Sequence, residues 1–131
     1  MVSLKKLKII AFLGVFLAFG VVSLGAWTRL VDAGLGCPDW PGCYGFAIFP
    51  MTETEIAQAN ELYPERKFEI EKAIPEVVHR YFAGFLGLLI IGIFIMSLYL
   101  KPYNSLVTKL TGALVVSVSY THLTLPTMLW V

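Results

Sequence analysis

From Ile9 to Trp27 the chain reads IIAFLGVFLAFGVVSLGAW, nineteen residues without a charge, and from Val77 to Leu100 it is apolar again apart from Arg80 near the start. A helix needs roughly 20 apolar residues to cross the hydrocarbon of a bilayer, so each run is long enough to span. Composition agrees, with 57% hydrophobic residues, 15% charged and a mean hydropathy of +0.75, where soluble domains run near 45–50% and about 25%. The formal charge of +1 leaves no basic surface for nucleic acid. The expected fold is an all-α integral membrane protein with two complete transmembrane helices, at about 9–27 and 77–100. A third starts at about 106–110, and an outer loop, 28–75, contains short helices. A cleavable signal peptide is the competing reading of the first run, because Lys5, Lys6 and Lys8 precede it and Ser23-Leu24-Gly25 could serve as a cleavage site. Its apolar length exceeds the roughly 7–15 residues of a signal core, and a membrane anchor is the better expectation.

Charge gives the chain a sidedness. All nine acidic residues lie between Asp32 and Glu76, whereas Lys5, Lys6, Lys8, Lys101 and Lys109 lie outside that segment. Lysine and arginine near span ends mark the cytoplasmic face. The N-terminus and the short turn from Lys101 to Lys109 are therefore expected to be cytoplasmic. The loop from Thr28 to Pro75 is expected in the periplasm of a bacterial inner membrane.

That loop carries Cys37 and Cys43 around Pro38-Asp39-Trp40-Pro41-Gly42. Outside the cytoplasm, two cysteines this close are expected to be oxidised to each other, and prolines with a glycine favour the turn that brings the sulfurs together. A structural clip and a reversible, redox-active pair both remain open. Metal binding by the pair alone is disfavoured, since a closed site needs about four ligands. Further on, Thr52-Glu53-Thr54-Glu55 fits a capping box and predicts a short helix to about Leu62, ended by Pro64. Lys67 to Ala73 predicts another turn or two, and Pro75 is expected in the first turn of the second span, where proline is tolerated.

The polar residues at the outer end of that span are Glu76, His79 and Arg80. At helical spacing Glu76, His79, Ala83 and Gly87 share one face, with carboxylate and imidazole one turn apart above small side chains that admit another helix or a flat cofactor. A histidine pointing from a helix into a bundle suits haem iron, and ionisable groups at membrane depth are candidates for function. Snorkelling to water or lipid phosphate is the structural alternative for His79 and Arg80, and a single Glu-x-x-His is too little for a di-iron bundle. Arg29 and Arg80 are the cofactor-binding candidates beside His79; Arg29, directly after the first span, could pair with a haem propionate or with lipid phosphate. Gly34, Gly36 and Gly42 read as turn residues and not as a phosphate loop.

The third apolar segment, LTGALVV, gives way after Val116 to SVSYTHLTLPTMLWV, too polar and proline-broken to complete a crossing. Residues Val118 to Thr127 look like the translation of a sequencing adapter, so residues 117–131 are expected to be a non-native tail, His122 is left out of the candidate site, and the chain is expected to be a fragment.

Three motifs together, Gly25-Ala26-Trp27-Thr28-Arg29-Leu30, the run GLGCPDWPGC from Gly34 to Cys43, and Glu76-Val77-Val78-His79-Arg80, resemble the N-terminal part of haem A synthases over about residues 10–116. The resemblance implies a membrane oxidoreductase that converts haem O to haem A by oxidising a ring methyl to a formyl group, for terminal cytochrome oxidase. It implies eight spans in two four-helix halves, each half binding a haem between paired histidines. Haem O would be substrate, haem b a cofactor with its iron, and haem O synthase and an electron donor would be partners beside membrane lipid. By resemblance His79 matches an axial iron ligand, Glu76 the glutamate near the reacting haem, and Cys37 and Cys43 the paired cysteines of the first outer loop. The fourth-span ligand and the second half are not in this chain, so the 131 residues alone are expected to be inactive.

Two other function classes compete. One is a small non-catalytic subunit for haem handling or oxidase assembly, with a periplasmic disulfide loop. The other is a thiol–disulfide protein, disfavoured because five residues separate the cysteines where Cys-x-x-Cys is the attested arrangement.

Overall fold

The structure is a computed structural model that describes residues 2–124. Four helices follow one another, α1 (Leu4–Leu30), α2 (Glu53–Leu62), α3 (Ile70–Leu98) and α4 (Ser105–Thr124), and among the described residues there is no strand, only the isolated bridges Val2–Leu100 and Cys43–Phe46. The described residues form an all-α chain, as the two long apolar runs predict. Helices α1 and α3 are long and apolar enough to cross a membrane, and the apolar part of α4, Ser105–Tyr120, is shorter. Most of their large apolar side chains, Phe12, Phe16, Phe19, Phe85 and Leu88 among them, are exposed. For a water-soluble protein that would be a liability; for helices in lipid it is the expected surface.

Two details depart from the sequence reading. The turn expected over Lys67–Ala73 merges with the second span, because α3 already starts at Ile70, with the Ala73 N–H bonded to the Glu69 carbonyl at 3.0 Å. Pro75 therefore sits inside α3, one turn deeper than expected. Its ring leaves the Glu71 carbonyl without the usual i+4 donor, and burial of Ala73, Glu76 and Val77 accompanies the continuous helix. The polar stretch after Val116 also stays helical as far as Thr124. Nothing in the fold tests the reading of 117–131 as a non-native tail, and residues 125–131 lie outside the described residues.

The chain divides into two compact units. One, residues 1–18 and 84–131, packs Leu7, Ile93 and Leu100 with Ile10, Leu89, Met96 and Val107. Here the buried Ser97 hydroxyl meets the Thr111 hydroxyl at 3.0 Å and donates to the Phe94 carbonyl at 2.6 Å. Hydroxyls paired between helices in this way are the polar glue of membrane bundles.

The other unit, residues 19–83, holds the loop and the helix ends that carry it. Its core is Cys37, Cys43, Tyr44, Ala59, Ala73 and Val77, walled by Phe46, Phe49, Tyr63 and Phe68. Tyr44 is fully buried and stands edge-on to both Tyr63 and Phe68 at 5.5 Å. Helix α2 opens as its sequence predicts. The Thr52 side chain accepts from the Glu55 N–H at 3.3 Å, and the Glu55 carboxylate accepts from the Thr52 N–H at 3.0 Å and the Met51 N–H at 2.8 Å.

Candidate functional site

Cys37 and Cys43 are joined by a disulfide, with their Cα atoms 4.9 Å apart. Just beyond it the chain reverses through Tyr44 and Gly45, both at positive φ (57° and 82°), with Cys43 and Phe46 exchanging backbone hydrogen bonds of 2.9 and 3.2 Å. Two consecutive left-handed residues make the tight turn that suits a twisted hairpin. A β-carbon at Gly42 would fall on the Phe46 carbonyl oxygen, so no larger residue fits there. Asp39 holds the reversal from inside: its carboxylate accepts from the Tyr44 N–H at 2.6 Å and the Gly45 N–H at 2.7 Å. The Tyr44 hydroxyl donates to the Lys67 carbonyl at 3.1 Å, tying the hairpin to the chain just before α3. Burial pushes the Tyr44 phenol above its ordinary value, against the pull of nearby Arg66.

This hairpin is fastened to α3 by the two charged residues that the sequence singled out. Glu76 is only 8% exposed; one carboxylate oxygen accepts from the Cys37 N–H at 2.9 Å and the other from Arg80 Nη2 at 2.6 Å. Arg80, its side chain 20% exposed, spends Nη1 on the carbonyls of Asp39 (2.6 Å) and Gly42 (2.8 Å), and Nη2 also reaches the Cys37 carbonyl at 3.5 Å. One guanidinium thus gathers three loop carbonyls and a carboxylate. Its planar fork of five donors is suited to that task, which a lysine could not copy. Each Glu76 oxygen keeps a further lone pair, because an ionised carboxylate offers about four acceptor sites.

His79 lies one turn along α3 from Glu76, partly buried, with Nδ1 shielded from solvent. Its ring leans on α1. A β-carbon built on Gly25 would lie 2.9 Å from His79 Cε1 and 3.3 Å from Nε2. One turn on, buried Thr28 folds its hydroxyl back onto the carbonyls of Leu24 (2.9 Å) and Gly25 (2.8 Å). Arg29 stands exposed on the last turn of α1, at the carbonyl end of the helix where a cation is favoured.

The structure thus brings Cys37, Cys43, Glu76 and Arg80 into one network, sets His79 beside it, and leaves Arg29 facing outward. Sequence reasoning missed Asp39, Gly25 and the loop-ward direction of Arg80. An aspartate ahead of a Pro-Gly turn is a recognisable cap signal, and Glu76 with Arg80 is an i, i+4 pair in the favoured order. Gly25 had no local signal, because what matters is the helix opposite.

Haem suits these donors. Iron held in a porphyrin asks the protein for an imidazole nitrogen on a face, and a partly buried histidine against a glycine that leaves space for its ring can offer one. A protein-caged ion asks for a cluster, and among the described residues no group of three or more His, Cys, Asp or Glu gathers.

The family described as "Cytochrome oxidase assembly protein" matches residues 8–121. A protein of Shewanella oneidensis named "Heme A synthase" is 53% identical over 78 residues, which are 60% of this chain and 24% of that protein. The chain therefore spans about a quarter of the length of the curated relative it matches. No solved structure matches.

Proposed function

This chain belongs to the cytochrome oxidase assembly protein family, and from that premise we propose that it supplies the first part of a haem A synthase, the enzyme that oxidises the ring methyl of haem O to the formyl group of haem A. The observation that carries the reading is the pairing of His79 with Glu76 one turn apart in α3, the carboxylate anchored in the disulfide loop and the imidazole seated against Gly25.

In this reading His79 would hold the haem iron, and the iron would supply the one-electron chemistry that a protein side chain cannot. Glu76 is the catalytic carboxylate. Its remaining lone pairs accept a proton or stabilise positive charge as the methyl carbon is oxidised. A carboxylate already fixed by the Cys37 N–H and Arg80 need not reorganise during reaction, which is where preorganised charge gains its effect. Arg80 is a positioning residue, turned to the loop, and the exposed Arg29 is the candidate for a haem propionate. The disulfide acts as a clip that keeps the Cys37 N–H aimed at Glu76. Its loop lies on the periplasmic side and the N-terminus in the cytoplasm, following the lysines at the inner span ends. Haem O synthase supplies the substrate, and the four electrons removed as the methyl becomes a formyl group pass to an oxidant outside this chain.

The test is a chimera in which this chain replaces the matching segment of the Shewanella relative, expressed in membranes that make haem O. The chimera should accumulate haem A. Glu76→Gln should keep a bound haem but lose haem A by about a hundredfold, the scale of one lost electrostatic stabiliser. His79→Ala should lose both the haem signal and the product. Normal haem A output from either variant would falsify the assignment of that residue.

A further inference from the structure

Gly25 stands where the ring of His79 meets α1, and a β-carbon there would come within 2.9 Å of Cε1 and 3.3 Å of Nε2, with Nδ1 at 3.5 Å. All three atoms belong to the imidazole, so the ring itself lies against the glycine. We propose that Gly25 is a positioning residue that sets the orientation of the His79 imidazole, and with it the direction in which a ring nitrogen is presented to haem iron. This rests on the reading of His79 as a haem ligand.

The physical case is steric. A β-carbon 2.9 Å from Cε1 would be closer than real Cβ atoms approach a neighbour, so an alanine at 25 forces something to move. The side-chain torsions of His79 are the soft coordinate, because a turn about χ2 costs little compared with parting two packed helices. One turn on, α1 is packed where Thr28 is buried with its hydroxyl on the carbonyls of Gly25 and Leu24. The ring therefore rotates, and the helix pair stays. Gly20, five residues earlier on α1, has nothing within 4 Å of its would-be β-carbon, so the same substitution there is a control of equal chemistry without the contact.

The experiment uses the full chain in lipid nanodiscs, with His122→Gln so that a single labelled histidine remains. In the haem-free wild type, the His79 Cε1 proton should show a nuclear Overhauser contact with the Gly25 α-protons; its absence overturns the proposal without any variant having to fold. Gly25→Ala should shift the His79 ring resonances while Gly20→Ala leaves them in place. The probe for the second half is haem b titrated into the same discs. Gly25→Ala should weaken its uptake about tenfold, the low end for loss of a residue that orients a metal-binding imidazole, and should move its Soret band. Ring resonances unchanged by Gly25→Ala overturn the proposal. If the ring moves but His79→Ala takes up haem b like the wild type, the ligand reading fails, and with it Gly25's role toward iron, while the contact itself stands.

Discussion

At the scale of single residues, the weight of the site falls on Arg80. It is the one charge within the apolar run from Val77 to Leu100, and its guanidinium is turned back toward the loop, onto the carbonyls of Asp39 and Gly42 and onto Glu76. Removing one partner from a buried ion pair costs far more than the pair contributes, because the other charge is left in a poor solvent. Arg80→Gln should therefore destabilise the loop unit by about 3 kcal/mol. The disulfide should then be reduced faster by dithiothreitol, and the Phe46 amide should exchange faster. Arg80→Lys should fall between, since the ammonium keeps the charge but cannot fork to several carbonyls. Reduction and exchange rates equal to wild type in Arg80→Gln would mean that the clamp holds nothing. Part of this was legible beforehand. Glu76 and Arg80 at i and i+4 signal a pair, whereas the three loop carbonyls depend on a hairpin whose shape comes from Asp39, Gly42 and the left-handed Tyr44, residues about forty positions away in sequence.

At the scale of elements, local chemistry was read best where it is self-contained. The capping box of α2 needs only Thr52 and Glu55, and both of its hydrogen bonds are formed. It also makes a testable pH dependence. The Met51 and Thr52 amides donate to the Glu55 carboxylate and hold it below its ordinary value of 4.5. A carboxylate whose folded value is lowered contributes stability that is present above the unfolded value and is lost as pH falls through the folded one. Below about pH 4.5 the first turn of α2 should loosen progressively, seen as faster amide exchange at Glu55 and Ile56. Glu55→Gln should remove that pH response, and Thr52→Ala should cost about 1 kcal/mol of local stability at neutral pH. A Glu55→Gln chain with an unchanged acid response would assign the loosening to another group. The start of α3 was read less well for the opposite reason. Proline in sequence suggests a first turn, but the burial of Ala73 and Val77 against the loop core is a tertiary fact, and it draws the helix start back to Ile70.

At the scale of the whole molecule, the two spans were legible because hydrophobic length is a one-dimensional property, and the helices α1 and α3 contain the apolar runs almost entirely. Charge placement carries the next inference. Nine acidic residues confined to 32–76 and lysines at the remaining span ends support the proposed orientation, because translocating lysine across the membrane is disfavoured while acidic residues contribute little. The disulfide points the same way, since it persists in an oxidising compartment. The measurement is labelling with a membrane-impermeant maleimide on intact spheroplasts. After mild reduction, Cys37 and Cys43 should label from outside. A cysteine introduced as Ser3→Cys in a Cys37→Ser/Cys43→Ser chain should label only after the membrane is opened. The reverse pattern would put the loop in the reducing cytoplasm, where the clip on Glu76 could not persist, and the proposed arrangement of carboxylate and imidazole would lose its support from the loop.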